Sequence, residues 1–317
     1  MAVCDQQINR ARAAADRFGI AQVYHDAEAM LKSENLDFVD VVTQAPSHRG
    51  LVELIASCGV HVICQKPFAP TLDDARAMVV ACKQHDVQLM VHENFRWQRP
   101  MRAVKAASAQ IGDLFFGRIV FRNDHNVFTN QPYLATDKRF IIYDLGIHLL
   151  DLARFFMGDI HHLFCHTQSV NPQVCGEDTA TITLVVESGA TCVVEACYFS
   201  HLERDVFPQT LIHIEGTRGS VTLREDYDLT VVADGKVTTS RVAPQPPAWA
   251  SGPGVAIQEG VVAIEQHWAD CLLSGKEPET SGLDNLKTLE LVFGAYQSAQ
   301  FATVYQTEAA LGSLKHG

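Results

Sequence analysis

The first third of the chain alternates short apolar runs with stretches of helical spacing. Ala2-Val3-Cys4 is an apolar run ended by Asp5, and Ile8 to Phe18 carries a helical pattern that Gly19 closes as a C-terminal cap. Gln22-Val23-Tyr24 then leads into a helix over Ala27 to Lys32, Phe38 to Val42 into Ser47 to Cys58, and His61 to Cys64 into Leu72 to His85. Gln88-Leu89-Met90-Val91 ends the series. Strand-helix units with short connections predict an α/β domain built on a parallel, doubly wound sheet. Ligands of such sheets bind beyond the carboxyl ends of the strands.

From about Trp97 the pattern changes. A helix over Pro100 to Gln110 precedes a strand over Phe115 to Arg122, and a polar and aromatic loop then reaches the apolar run Arg139 to Phe156. Alternation of period two follows in Thr179 to Val186, Ala190 to Cys197, Gln209 to Glu215 and Gly219 to Leu223, with Glu187-Ser188-Gly189 as a hairpin turn. These runs predict an α+β domain on a large open antiparallel sheet, one face of which is available to another subunit. Val242 to Val255, with four prolines and two glycines, reads as a loop. Two helices close the chain, near Ile257 to Ser274 and Asn285 to Ala302.

Composition narrows the partners. The 317 residues are 47% hydrophobic and 20% charged, enough for two domains with their own cores. A net charge of -12 without a basic cluster argues against nucleic acid, and no apolar run has the length of a membrane span. The nine cysteines form no CxxC pair and lie mostly in apolar runs, so they read as reduced thiols, and the cytoplasm is the expected compartment.

Three ionisable residues interrupt the run Arg139 to Phe156: Asp144, His148 and Asp151, at i, i+4 and i+7. A helix there puts them on one face, and groups of this kind in apolar surroundings must find partners or do chemistry. In the bland reading Asp144 caps the helix and His148 is a satisfied core histidine. The strand ends of the first domain carry Asp5, then Thr43 to His48, then Gln65-Lys66-Pro67, then His92 to Arg96. An acid at the position of Asp5 suits the ribose hydroxyls of NAD and repels the extra phosphate of NADP, although a helix cap is equally served. Lys66 follows an apolar strand and is kept from joining a helix by Pro67; it points to the crevice or is a solvated loop lysine.

Nearly the whole chain resembles the glucose-fructose oxidoreductase / inositol dehydrogenase (Gfo/Idh/MocA) family. The resemblance is carried by Thr43 to His48, Val62 to Pro67, Asn94-Phe95-Arg96, Asp144 to Asp151, Gly176 to Ala180 and Glu215 to Gly219. It implies a Rossmann domain over residues 1–96, a substrate and oligomerisation domain over 97–281, and a C-terminal helix over 282–317 that packs back on the first domain. It further implies homodimers or homotetramers formed through the antiparallel sheet. Lys66, Asp144 and His148 match the family's catalytic positions. Asp5, Thr43, Pro46, His48, Gln65, Lys66, Asn94 and Arg96 are expected at the cofactor, and Lys66, Asp144, His148, Asp151, Asn126 and Tyr133 at the substrate. Gln65 stands where the motif usually has Glu. The family's opening strand and glycine-rich turn have no counterpart, since no G-x-G-x-x-G occurs and the sequence starts at what would be the second strand. The first βα unit is thus expected to be missing and NAD binding to suffer.

The expected activity is hydride transfer between NAD and a secondary alcohol of a sugar or polyol, an inositol included. His148 would act as base with Asp144 holding its charge, and Lys66 would stabilise the developing alkoxide. One alternative is a catalytically silent sugar-binding subunit that has lost the dinucleotide site. Metal chemistry at Asp144, His148 and Asp151, with His161 or His162, is weaker because it leaves Lys66 without a role, so no metal is expected.

Overall fold

A computed structural model of the chain describes residues 1–252 and 254–308 and divides into two compact units. The first comprises Met1–His92 and Trp268–Leu286; the second comprises Glu93–His267 and the chain from Lys287 on.

In the first unit the strands are β1 (Ala2–Cys4), β2 (Gln22–Tyr24), β3 (Phe38–Val41), β4 (His61–Gln65) and β5 (Leu89–His92). The helices between them are α1 (Ile8–Phe18), α2 (Ala27–Ser33), α3 (His48–Ser57) and α4 (Leu72–Gln84). Local chemistry fixes their ends. Gly19 adopts the left-handed conformation at φ 66° and lets α1 stop, the Asp26 carboxylate accepts the Ala29 N–H at 2.8 Å to start α2, and Thr71 does the same for Asp74 at 3.1 Å to start α4. All pairing is parallel, and Val62, Ile63 and Cys64 in β4 are wholly buried, as a strand covered on both faces requires. The sheet is in two pieces, β1-β2 and β3-β4-β5, with no hydrogen-bonded ladder between β1 and β3.

The remainder of this unit comes from late in the chain. Thr280 exchanges backbone and side-chain hydrogen bonds with Val91, at 2.8 Å each, and Ser281 bridges Met90, which covers the edge of β5. Trp268 is fully buried with its ring edge-on to Phe38. The segment that joins the first unit is Trp268–Leu286, and that unit's first stretch ends at His92; residues 309–317 of the expected C-terminal segment lie outside the described residues. The reason is the buried Trp268 and the strand-like pairing of Thr280, neither of which a helix-by-helix reading reveals.

The second unit contains α5 (Arg99–Ser108), β6 (Leu114–Arg122), α6 (Ile147–Met157), β7 (Ile160–Gln168), β8 (Thr179–Val186), β9 (Thr191–Cys197), β10 (Leu211–Gly216), β11 (Gly219–Leu223), β12 (Asp228–Ala233) and β13 (Lys236–Arg241). The helices α7 (Gln258–Ser274) and α8 (Gly282–Phe301) run partly in each unit, and β14 (Tyr305–Gln306) ends the described chain as an edge strand on β7. Nine strands form one sheet in the order β13-β12-β11-β10-β6-β9-β8-β7-β14. It is mixed rather than antiparallel, because β6 runs parallel to β9. The crossover helix α6 returns the chain to β7 in the direction of β6, and two hairpins then bring β9 back beside β6. Buried and exposed residues alternate along β8, β9 and β10, so one face is core and the other open.

Candidate active site

The apolar run that opens the second unit's central helix is not α-helical throughout. Ile142–Gly146 forms a π turn, with the Ile147 N–H reaching the Ile142 carbonyl five residues back, before α6 begins at Ile147. Asp144 lies in this wider turn, so it does not share one regular face with His148 and Asp151 as i, i+4, i+7 spacing predicts; such turns are frequent at functional sites. The turn is clamped from elsewhere. Glu177 Oε1 accepts the N–H groups of Phe140 at 3.2 Å and Ile142 at 3.1 Å and the Tyr296 hydroxyl at 2.6 Å, and that hydroxyl also accepts the Tyr143 N–H. Burial and the Glu177 charge push the Tyr296 phenol up. Gly176 permits the close approach: a Cβ there would meet Asp137 O at 2.8 Å and Phe140 Cβ at 2.9 Å. Asp144 is half-buried, and its charge adds to the burial that raises the Tyr198 phenol.

His148 is 5% exposed. Its Nδ1 is hydrogen-bonded to Glu93 Oε1, and its ring lies flat on Phe95, with centroids 4.0 Å apart and planes within 5°. One turn further along α6, Asp151 is wholly buried and takes both Arg96 nitrogens, Nε to Oδ2 at 2.7 Å and Nη2 to Oδ1, with Thr288 Oγ1 on Oδ1 at 3.2 Å. Burial raises the Asp151 carboxyl above its usual range, and the Arg96 guanidinium works against that rise. Arg154 continues the chain of pairs to Thr288 at 2.8 Å and to Asp159, which also meets Lys287 at 2.5 Å.

These contacts revise several sequence expectations. Arg96 and Asp151, expected at the cofactor and the substrate, are paired with each other inside the unit. No group of three or more His, Cys, Asp or Glu residues among the described ones could hold a metal ion. Asn126, expected at the substrate, spends its Oδ1 capping the turn Val127–Thr129 through the N–H groups of Phe128 and Thr129. Tyr133 is 45% exposed and donates to Gln131 Oε1 at 2.6 Å. Asn94 Oδ1 is buried with no hydrogen-bond partner among the described residues, an acceptor that a bound N–H or O–H would satisfy.

The first unit gathers a second set. Thr43 and Pro46 lie exposed on the loop after β3, and Gln65 and Lys66 half-buried at the end of β4. His48 is wholly buried and links the two loops, Nε2 to Thr43 O and Nδ1 to Phe68 O, both at 3.0 Å. With both nitrogens so engaged it is a structural staple, not the cofactor contact expected of it. Gln65 Oε1 accepts the Lys66 N–H at 2.9 Å, which fixes the backbone of the lysine. Asp5 ends β1 and accepts the Gln7 N–H at 2.7 Å through Oδ1. Within this unit a half-exposed acid follows β1 and a lysine with a fixed backbone follows β4, an acceptor and a donor of the kind a dinucleotide's hydroxyls and reacting atoms require. The described residues include no glycine-rich turn for its pyrophosphate.

Glu93 and Glu177 lie within the segments His92 to Arg96 and Gly176 to Ala180, yet nothing in the sequence marks their partners. The signal for Glu93 is an acid directly after the strand Leu89–His92; Tyr296 and Thr288 give none.

A parallel dinucleotide-type sheet joined in sequence to a mixed-sheet domain with a buried histidine on its central helix defines an oxidoreductase of the Rossmann class. Residues 1–93 match the model of the oxidoreductase family with an NAD-binding Rossmann fold, and residues 101–222 match the GFO/IDH/MocA C-terminal domain. The chain belongs to the Gfo/Idh/MocA family. It is 54% identical over 302 residues to a D-apiose dehydrogenase of Paraburkholderia graminis, covering 95% of this chain and 80% of that protein. It is 51% identical over 300 residues to a D-apiose dehydrogenase of Rhizobium rhizogenes, covering 94% and 87%. The crystal structure of an Agrobacterium radiobacter oxidoreductase in complex with NAD+, L-tartaric acid and magnesium superposes with TM-score 0.95 at 50% identity, covering 96% of this chain and 90% of that one.

Proposed function

We propose that the protein is an NAD-dependent sugar dehydrogenase and that a small aldose of the D-apiose kind is its substrate. Two relatives above half identity, both D-apiose dehydrogenases, support the choice of sugar. The silent-subunit alternative has no such support.

His148 takes the proton of the substrate hydroxyl, since an imidazole is the side chain suited to that transfer near neutral pH. Asp144 stabilises the charge the ring acquires. Lys66 donates to the reacting oxygen as negative charge develops on it. Asp5 receives the ribose hydroxyls of the cofactor and Asn94 satisfies its orphaned acceptor on it. A bound nicotinamide supplies the acceptor for the carbinol hydride. The open face of the nine-stranded sheet, where Phe164 is 42% exposed, supports a homo-oligomer that covers it.

The test is an initial-rate survey of D-apiose, other aldoses, polyols and inositols against NAD and NADP, followed by reduced-cofactor absorbance. D-apiose with NAD should give the highest kcat/KM. A polyol or inositol turned over faster would transfer the site to another substrate, and no turnover with any sugar would remove the dehydrogenase reading.

A further inference from the structure

The first carboxylate met by His148 in three dimensions is not Asp144, the neighbour in its own motif, but Glu93, fifty-five positions earlier. Both side chains of the pair are buried, 7% exposed for His148 and 0% for Glu93. Phe95 lies flat on the ring and keeps it from rotating out of the plane of the hydrogen bond. The other ring nitrogen, Nε2, makes no hydrogen bond to any described residue.

We propose that Glu93 is the positioning residue of this site, holding the imidazole proton on Nδ1 so that Nε2 is the basic atom, and offsetting the charge His148 gains when it takes the substrate's proton. This rests on the reading of His148 as the base. An ionised carboxylate can only accept, so the proton between the two belongs to Nδ1, and the hydrogen bond at one ring nitrogen decides the state of the other. In the transfer the substrate O–H bond breaks and an N–H bond forms at Nε2. The Nδ1 proton stays in place, and the ring gains one positive charge opposite Glu93.

The surroundings are balanced for this. Arg96 faces Asp151 in a closed pair, and Arg154, one turn further along the helix, is shared between Thr288 and Asp159. Glu93 lies close enough for its charge to bear on Asp151, and Asp144 carries the remaining acid from the π turn. The buried acids Glu93 and Asp151 are thus set against the buried arginines Arg96 and Arg154. A purely structural hydrogen bond would be served as well by a neutral amide. Catalytic positioning would not, because an amide either donates to Nδ1, moving the ring proton to Nε2, or accepts without charge.

Glu93→Gln in the full chain separates the two roles. Positioning predicts a fall in kcat of about 10²–10⁴-fold, the scale on which a tautomer-fixing carboxylate acts, with KM little changed and the acid limb of the pH profile moved to lower pH. Glu93→Asp should restore part of the rate and the position of that limb. Nitrogen-15 NMR of His148 in the unmutated protein should show the neutral ring protonated at Nδ1 and bare at Nε2, a readout that requires neither turnover nor a folded variant. A folded Glu93→Gln protein with unaltered kcat and acid limb, or a neutral ring protonated at Nε2, overturns the proposal. His148→Asn run in parallel tells the failures apart. If that variant keeps full turnover, the base reading has fallen, whereas an inactive His148→Asn beside a fully active Glu93→Gln condemns Glu93 alone.

Discussion

In the first unit Gln65 ends β4, and Lys66, Thr43 and Pro46 occupy loops after strands, half-buried or exposed, while a buried histidine links those loops. In the second unit His148, Glu93, Arg96 and Asp151 lie inside the fold, each tied to another ionisable group. A group on a loop can be removed with little effect on folding, whereas a buried charge stripped of its partner is left in a medium that does not solvate it. Chemistry and stability are therefore separable in the first unit and entangled in the second.

The largest expected effect sets the two units against each other directly. Lys66→Ala should lower kcat by about two to four orders of magnitude, as for a lost oxyanion or proton-transfer group, while unfolding free energy changes by no more than about 1 kcal/mol, as for an ordinary single substitution. His148→Asn should lower it on a similar scale and abolish the acid limb near neutrality. Stopped-flow turnover and urea unfolding measured on both variants check this, and normal turnover by Lys66→Ala would take the lysine out of the mechanism.

Next comes the buried pair of Arg96 and Asp151. Arg96→Met leaves Asp151 buried without its bidentate partner and should cost about 3–5 kcal/mol of stability, while the double variant Arg96→Met/Asp151→Leu should recover most of it. Equal losses in the single and double variants, read from urea midpoints, would show that the two side chains do not act as a pair.

A smaller effect belongs to Asp5. Asp5→Ser relieves repulsion of the 2′-phosphate and should narrow the preference for NAD over NADP by about tenfold, or about 1.4 kcal/mol. Preference for NADP in the unmutated protein would refute the role of Asp5.

The smallest concerns Asp159 at the outer end of the buried chain of pairs. Burial raises its carboxyl, but hydrogen bonding to Lys287 and the Arg154 charge outweigh that, so it sits below the usual range. A depressed carboxyl contributes stability that is present above its unfolded pKa and disappears as pH falls through its folded one. Asp159→Asn should thus cost about 1 kcal/mol at neutral pH, and the difference in Tm from the parent should shrink below about pH 4. A difference constant with pH would mean that charge is not what Asp159 contributes.

Every strand and helix of the first unit up to β5 was legible in the sequence, because apolar runs of strand length alternate with capped helical stretches there. Less was legible in the second unit. The strand β7 was missed because His161, His162 and His166 interrupt its apolar pattern, and β13 because all six of its residues are exposed and it has no buried face to advertise. Lys66, Asp144 and His148 stand out in the sequence through motif and residue type. The cap that Asn126 makes and the bridge that His48 makes do not, because a polar side chain in a loop serves a backbone N–H or carbonyl as readily as a ligand.

What the sequence determined by itself is whatever depends on neighbours within a turn or a strand: the βα rhythm, the caps at Gly19, Asp26 and Thr71, and the presence of an acid and a histidine in an apolar helix. Only the tertiary structure decided who partners whom. Glu93 meets His148 across fifty-five residues, Asp151 meets Arg96 across fifty-five, and Glu177 meets Tyr296 across 119. Burial makes each of these groups require a partner, but the identity of that partner depends on which segments the folded chain packs together, and no local spacing encodes it.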